Sequence, residues 1–381
     1  MAKPGPVHYT PGTHSIGGLL GGSSPAYNAH MSDAYRILDA NFNRAREALR
    51  VAEDYARFVL NDAALSATAK SLRDQLRSVY ETLGADHLLA WRDTSGDVGT
   101  EIESPGEHRR SSTAAVATAA CKRLTEALRV IEEYAKIESP GAASAAEQVR
   151  YRAYTFEQRL IARVDVAARF AQSRLYVLLT TSLCKGDPVL TAHAAAAGGA
   201  DCIQLREKDL SDRQLLELAR RVRAATLETR TLLVINDRPD IAALVAADGV
   251  HVGQDDMPVA AARQIVGGDR LVGLSTHSLE QARAAAETDC DYIGVGPMFV
   301  SPTKAAARIP GPRLLTRVAA EIDAPHVAIG GITADNVERL AAAGAQRVAV
   351  CQAVVAAADP KAAARVIKER FCAAASEEAW K

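Results

Sequence analysis

The sequence predicts an all-α domain followed by a (β/α)₈ TIM barrel of the α/β class, and three observations support this. The chain has 381 residues, more than a single hydrophobic core usually holds. Up to about residue 170 the apolar residues follow helical spacing, without a convincing strand. After Arg174, short apolar runs alternate with Ala-rich helical stretches, which is typical of parallel strands buried on both faces.

Eight short apolar runs predict the strands of the second domain. They span residues 175–179, 202–205, 232–235, 249–252, 271–274, 292–295, 326–329 and 347–350. Eight β–α units in roughly 200 residues favour a closed barrel. An open, doubly wound sheet is the alternative, but no Gly-rich dinucleotide loop follows the first run. We therefore assign residues 174–375 to the barrel.

The first domain is predicted to span residues 31–170, after a Gly-, Pro- and Ser-rich tail at residues 1–30 that we expect to be disordered. Residues 46–55 closely match residues 125–134, which indicates two related helices in one helical domain. Residues 162–173 also have helical composition, so we expect a rigid connection to the barrel.

The amino-acid composition argues against two classes of binding partner, nucleic acids and membranes. The formal net charge is −1, so bulk charge predicts neither a nucleic-acid nor a membrane partner. No apolar run reaches the roughly 18 residues that a membrane span needs. Six cysteines without paired spacing indicate reduced thiols and, with the missing signal pattern, a cytoplasmic protein. The sequence leaves a homo-oligomer open.

Polar residues follow several of the predicted strands, at the edge where such barrels place their active sites. After the second run, alternation places Gln204, Arg206 and Lys208 on one side, where the two cations suit a diphosphate. A solvated charge run is the competing interpretation.

Carboxylates follow the third and fourth runs. Two carboxylates from neighbouring strands can hold one Mg²⁺, which completes its coordination with water and phosphate oxygens. Helix capping is the competing interpretation, and we expect Asp255 to cap a helix that starts near Pro258. Asp237 and Asp256 then remain as the metal candidates.

Later strand ends predict anion contacts. Ser275 could donate a hydrogen bond to a phosphate, and His277 fits a loop or capping role better than that of a base. Glycines after strand 7 and backbone amides after strand 8 form the recurrent phosphate site of these barrels. The candidates for anion binding after strands 6 to 8 are Ser301, Thr303, Lys304, Gly331, Cys351 and Gln352. Two separate anion sites suit a transferase with two phosphorylated substrates.

The ordered motifs of residues 204–208, 236–237, 249–256, 296–304 and 330–332 resemble thiamine-phosphate synthase. The resemblance covers about residues 174–370. It implies a TIM barrel in which Mg²⁺ assists the joining of hydroxymethylpyrimidine diphosphate to a thiazole phosphate, releasing pyrophosphate. Two positions depart from the family pattern: Ser301 stands where a Thr is usual, and Gln352 where a Ser is frequent.

The resemblance also implies roles for individual residues. It places Mg²⁺ on Asp237 and Asp256, and the thiazole phosphate on Ser301, Thr303, Gly331 and the backbone of Cys351 and Gln352. It places the pyrimidine diphosphate on Gln204, Arg206, Lys208, Asn236, Ser275 and Lys304, with Arg206, Lys208, Ser275 and Lys304 as the catalytic set. The chemistry is electrostatic and needs no protein nucleophile.

Two alternatives stay open. A related thiazole tautomerase shares the barrel but has no diphosphate to hold, and Lys208, Asn236, Asp237 and Asp256 argue against it. The helical domain resembles a phosphomethylpyrimidine kinase through residues 41–54, 96–100 and 123–133. Such a kinase would make the diphosphate that the barrel consumes. A non-catalytic module for dimerisation or docking is the rival interpretation.

Overall fold

The computed structural model describes residues 25–92, 97, 110–300 and 309–378. Five helices come first: α1 Pro25–Phe58, α2 Ala63–Thr82, α3 Ala85–Ala90, α4 Thr113–Glu138 and α5 Pro140–Gln172. The strands are β1 Leu175–Leu179, β2 Cys202–Leu205, β3 Leu232–Asn236, β4 Gly249–Val252, β5 Leu271–Thr276, β6 Tyr292–Val295, β7 His326–Ile329 and β8 Val348–Val350. The barrel helices are α6 Pro188–Ala197, α7 Asp212–Thr229, α8 Pro239–Leu244, α9 Val259–Val266, α10 Leu279–Ala286, α11 Pro312–Glu321, α12 Glu338–Ala342, α13 Gln352–Val355 and α14 Pro360–Glu378.

The helical domain is a duplicated hairpin. The N-cap of α2 is Asp62, which accepts from the amide of Leu65, and the N-cap of α5 is Ser139, which accepts from that of Ala142. The matching sequence repeats lie in α1 and α4, so α1–α2 corresponds to α4–α5. The repeat found in the sequence is therefore half of a larger unit.

A buried ion pair recurs in both copies of this hairpin. Glu53 of α1 pairs with Arg73 of α2 at 2.7 Å, and Glu132 of α4 pairs with Arg150 of α5 at 2.6 Å. Both glutamates are almost fully buried. Because a buried charge is costly without its partner, each pair fixes the spacing of its two helices.

Helix α1 begins at Pro25, inside the range that we expected to be a tail. Proline is favoured at the first helical position because its fixed φ already suits a helix and its missing N–H would be unpaired there. Residues 1–24 lie outside the described part of the chain.

The second domain is a closed barrel of eight parallel strands in the order β1 to β8, with β8 paired to β1. This confirms the predicted fold and excludes the open, doubly wound sheet. The eight apolar runs match the strands to within one or two residues. The sequence determines these strands well because both faces of each strand are buried, which requires an apolar residue at nearly every position.

Helix α5 connects the two domains without a break. Its first half carries Val149 and Phe156 into the core of the helical domain. Its last turns place Val166 and Phe170 against the residues inside the barrel, where Phe170 packs on Tyr292 with ring centroids 4.6 Å apart. The helical segment expected at residues 162–173 is confirmed, and it closes the end of the barrel at which the strands begin.

A chain of polar side chains crosses the barrel interior. Nε2 of Gln204 donates to Oη of Tyr176 at 2.9 Å, which lies 3.0 Å from Oη of Tyr292. Oη of Tyr292 lies 3.1 Å from Nδ1 of His251, whose Nε2 lies 2.9 Å from Oγ of Ser275. Burial lowers the pKa of His251 to about 4, so its ring is neutral near pH 7.

Glycine makes room for this chain. A Cβ at Gly273 would lie 2.2 Å from Cζ of Tyr292 and 2.5 Å from Nδ1 of His251. The barrel interior therefore tolerates no side chain at that position of β5.

No helix in the described residues is long and apolar enough to cross a membrane.

We expect Phe170→Ala to reduce the free energy of unfolding by about 3–5 kcal/mol, because it leaves a cavity against Tyr292. Phe58→Ala is the matched control, since Phe58 is 69% exposed and should lose little. Urea denaturation of both variants measures this. Equal losses would show that Phe170 does not support the barrel.

We expect acid to destabilise the barrel through His251. Its pKa is 6.5 when unfolded and about 4 when folded, so the stabilisation is complete above pH 6.5 and is lost as the pH falls towards 4. At pH 5 the loss should be about 2 kcal/mol relative to pH 7.5. His251→Gln should flatten this pH dependence in denaturant titrations, whereas His193→Gln, at an exposed position, should not. An unchanged slope in His251→Gln would contradict the assignment.

Candidate active site

The predicted site residues after β2 separate into a buried and an accessible group. Gln204 is buried inside the barrel, where it begins the polar chain. Lys208 is half-exposed, and its Nζ lies 3.1 Å from Oδ2 of Asp237. In the described part of the chain, the guanidinium of Arg206 has no hydrogen-bond or ion-pair partner, so it is available to an anion. The structure thus brings Lys208 to the metal candidates and leaves Arg206 free.

The two metal candidates meet at the ends of β3 and β4. Asp237 has a left-handed φ of 59°, a conformation that Asp tolerates better than most residues, and its amide donates to the carbonyl of His251 at 2.8 Å. This backbone turn brings its carboxyl group into hydrogen-bonding contact with that of Asp256. Asp256 also accepts from the amide of Gly253 at 2.8 Å.

The two carboxyl groups titrate as a pair. Burial, together with the hydrogen bond to Asp256, raises the pKa of Asp237. Burial also opposes ionisation of Asp256, but the hydrogen bonds from Asp237 and Gly253 and the charge of Lys208 outweigh it, so the pKa of Asp256 is lowered. A divalent cation held by both carboxyl groups would favour the charged form of each.

Few side chains at this position could bind a metal ion. Within the described ranges, no cluster of three or more His, Cys, Asp or Glu side chains could hold a metal ion. Two carboxylates fit Mg²⁺, because this ion commonly binds one or two protein carboxylates and takes its other ligands from water and phosphate. They do not fit a structural zinc site, which takes four protein ligands, usually Cys and His.

Asn236 presents an unpaired donor beside the metal candidates. The residue is 8% exposed, and its Nδ2 has no hydrogen-bond partner in the part of the chain that the structure describes. A buried amide without a partner costs about 1–3 kcal/mol. A ligand with an acceptor group in the barrel mouth would remove that cost.

Ser275 ends the polar chain at the mouth of the barrel. In the tautomer of His251 with its hydrogen on Nε2, Nδ1 accepts from the hydroxyl of Tyr292 and Nε2–H donates to Ser275. In this arrangement the hydrogen of the Ser275 hydroxyl is free for a ligand. Gln254 fixes the backbone here, because its Nε2 donates to the carbonyl of Ser275 at 2.6 Å.

Sequence reasoning missed Tyr176, Tyr292 and His251 as parts of this site. His251 lies two residues after Gly249 on β4, at an inward position, and a histidine on the inner face of a barrel strand was the available signal. The tyrosines resemble ordinary core residues in sequence, and only the barrel geometry joins them.

Loops at the ends of β6, β7 and β8 lie at the same end of the barrel. Gly331 has a φ of 65°, and a Cβ there would lie 2.4 Å from the carbonyl oxygen of Val300. Cys351 directly precedes α13 and Gln352 begins it, and the first amides of a helix have no acceptor within the helix. The side chain of Gln352 is exposed. Ser301, Thr303 and Lys304 lie outside the described residues.

Two smaller expectations have different outcomes. Asp255 does not cap the following helix. Helix α9 begins at Val259, and its N-cap residue is Pro258, whose side chain has no hydrogen-bond acceptor. His277 is a loop residue as expected, since its Nδ1 lies 2.8 Å from the carbonyl oxygen of Gly296.

In the helical domain, the repeated charged positions divide into two classes. Glu53 and Glu132 are buried in the ion pairs that hold the hairpins. The equivalent pairs Glu47 and Glu126, Arg50 and Arg129, and Asp54 and Glu133 are exposed in both copies. Burial explains why the first class is repeated. In the exposed class, Arg129 pairs with Glu132 and Glu133 on its own helix, and burial does not explain why the exposed charges are repeated.

Two protein families match this chain. The family described as thiamine monophosphate synthase matches residues 175–354, and the ThiD2 family matches residues 36–159. The solved structure of thiamine phosphate pyrophosphorylase from Pyrococcus furiosus is 33% identical, with a TM-score of 0.50, over 54% of this chain and 98% of that one. It corresponds to the barrel alone.

Similarity to curated relatives extends over both domains. Thiamine-phosphate synthases from Nostoc punctiforme and Gloeobacter violaceus are 42% and 43% identical over 326 and 325 residues. These alignments cover 86% and 85% of this chain and 91% and 93% of the relatives. The chain therefore belongs to the thiamine-phosphate synthase family and is a transferase of thiamine biosynthesis.

Proposed function

We propose that the barrel joins hydroxymethylpyrimidine diphosphate to the nitrogen of a thiazole phosphate, giving thiamine phosphate and pyrophosphate with Mg²⁺ as cofactor. One observation carries this proposal: Asp237, Asp256 and Lys208 meet at one barrel mouth. Arg206, which also follows β2, has no side-chain partner among the described residues. A tautomerase acting on a thiazole monophosphate would have no use for two carboxylates that can hold a metal.

Asp237 and Asp256 would hold Mg²⁺, which supplies neutralisation of the charge that develops on the leaving pyrophosphate. Lys208 and Arg206 contribute two further positive charges, and Ser275 can donate its free hydroxyl hydrogen. By family resemblance, Lys304 belongs to this set. The leaving group is thus stabilised by fixed charges and hydrogen-bond donors, which need no reorganisation during the reaction.

The pyrimidine would lie deeper in the barrel, against Gln204 and Asn236. The buried Nδ2 of Asn236 lacks a partner and is suited to a ring nitrogen acceptor. As the C–O bond to the diphosphate breaks, the electron-rich aminopyrimidine ring stabilises the positive charge on its methylene carbon. The thiazole nitrogen then supplies the electron pair for the new C–N bond.

The thiazole phosphate would lie at the ends of β7 and β8, on the amides of Gly331, Cys351 and Gln352. The positive φ of Gly331 and its close approach to Val300 require glycine there, which lets the backbone contact a ligand directly. Ser301 and Thr303 would complete the phosphate contacts. Binding this substrate beside the first one supplies catalysis by proximity.

We also propose that the helical domain phosphorylates the pyrimidine monophosphate. The match to the ThiD2 family and the exposed charges kept in both hairpins support this. In the reaction, an oxygen of the pyrimidine phosphate attacks the γ-phosphorus of ATP, the bond to the bridging oxygen breaks, and ADP leaves. A purely docking or dimerisation role explains α5 and the buried ion pairs, but not the repeated exposed charges.

All six cysteines are free thiols, which suits a reducing compartment. We therefore place these reactions in the cytoplasm.

We expect Asp237→Asn and Asp256→Asn each to lower kcat/KM of the synthase reaction by about 100-fold or more, because each removes a charged ligand worth several kcal/mol of transition-state stabilisation. The concentration of Mg²⁺ needed for half-maximal rate should rise as well. Asp255→Asn is the matched control, since the exposed Asp255 should leave both quantities near those of the unaltered protein. Unchanged Mg²⁺ dependence in both variants would overturn the metal assignment.

We expect the full-length protein to release ADP from ATP when pyrimidine monophosphate is present. Arg50→Ala and Glu47→Ala should each reduce this rate at least about tenfold without loss of stability, because exposed substitutions usually change stability by less than about 0.5 kcal/mol. Lys70→Ala, at another exposed helical position, is the control. A coupled assay for ADP, with circular dichroism to check folding, measures this. Absence of ADP release would leave the docking role as the better account.

A further inference from the structure

The helical domain contacts the barrel at the end where the strands begin. Arg169 of α5 donates to the carbonyl of Arg230, just before β3, and lies 3.7 Å from Asp248, just before β4. Arg347, just before β8, donates to the carbonyl of Phe170 at 2.9 Å. These contacts therefore lie opposite the end that carries the predicted synthase site.

A second group of contacts fixes the same junction. Arg163 of α5 pairs with Asp291, which also pairs with Arg263 at 2.6 Å. Asp62, the N-cap of α2, lies so close to Gly268 that a Cβ on this glycine would be 2.6 Å from its Oδ2. Arg163 and Asp62 are both buried. Because separating buried ion pairs leaves uncompensated charges, the two domains are held in one arrangement.

The barrel between these two ends is filled. Phe170 and Val166 cover one end, and above them lie the packed side chains of Tyr176, Leu271 and Tyr292. Strands of five residues span about 16 Å, and the interior of such barrels is a packed core without a pore. A phosphorylated pyrimidine cannot pass through this interior.

The exposed charges of the helical domain lie away from the barrel mouth. Glu47 and Arg50 lie on α1, and Glu126 and Arg129 on α4. Of these four residues, Arg129 forms ion pairs in the described part of the chain. Its partners, Glu132 and Glu133, belong to the helical domain. Every described polar contact between the domains is at the strand-beginning end.

We propose that the diphosphate made by the helical domain is released into bulk solvent and enters the barrel from its opposite end, without channelling. This inference rests on the kinase activity proposed above. The fusion then supplies two enzymes in a fixed ratio, and α5 closes the end of the barrel at which the strands begin. The anionic intermediate reaches the mouth by diffusion and by attraction to Arg206 and Lys208.

Isotope dilution in the full-length protein tests this. The protein receives ¹³C-labelled pyrimidine monophosphate, ATP, Mg²⁺ and thiazole phosphate, together with unlabelled pyrimidine diphosphate. We expect the labelled fraction of newly formed thiamine phosphate to equal that of the free diphosphate pool at each time, and a lag before product forms when unlabelled diphosphate is omitted. A labelled fraction several-fold above that of the pool, with no lag, would overturn the inference.

A mixing experiment gives a second readout. Asp237→Asn, with its strongly reduced synthase activity, is combined with Arg50→Ala, with its strongly reduced ADP formation. Diffusion predicts that the mixture makes thiamine phosphate from the monophosphate several-fold faster than either variant alone, and channelling predicts no more than the sum of the two residual rates. ADP release measured in the same samples separates the two proposals: if the unaltered protein releases none, the kinase assignment is wrong and this inference falls with it.

Discussion

The packing of Phe170 on Tyr292 is the contact on which both domains depend. It closes the barrel where the strands begin, and it supports the tyrosine whose hydroxyl continues the chain to His251 and Ser275. The same residue belongs to the last turns of α5, whose first half is part of the helical core. A single continuous helix therefore contributes to the core of one domain and to the floor beneath the active site of the other.

Polar groups inside a barrel are costly unless each finds a partner, and this explains how the site is organised. Gln204, Tyr176, Tyr292 and His251 satisfy one another, and the lowered pKa of His251 keeps the chain neutral. Nδ2 of Asn236, which has no hydrogen-bond partner among the described residues, lies at the mouth. Charge is concentrated beyond this neutral layer, where Asp237, Asp256 and Lys208 meet. Neutral groups are thus placed deep and charged groups near solvent, which suits the proposed substrate, a neutral ring that carries a diphosphate.

The sequence repeat of the duplicated hairpin contains both buried charged residues and exposed charged residues. Glu53 and Glu132 are repeated because each is buried and pairs with an arginine across the hairpin. The exposed positions lie outside the core, although Arg129 also pairs with Glu132 and Glu133, and they carry the functional proposal for this domain. In the sequence, the buried and the exposed positions belong to the same repeated motif. Only their burial in the structure distinguishes them.

The sequence by itself determined the eight strands, the helical character of the first domain and the chemical types at each strand end. Those features are local: burial on both faces requires continuous apolar runs, and strand ends in such barrels carry the polar groups. Only the tertiary structure decided that Asp255 caps no helix, that α1 extends back to Pro25 and that Tyr176, Tyr292 and His251 form one chain. It also decided that the helical domain lies at the barrel floor. These features depend on contacts between residues far apart in sequence, or on backbone angles such as the left-handed φ of Asp237. The pattern of apolar and polar residues along the chain does not predict such contacts or angles.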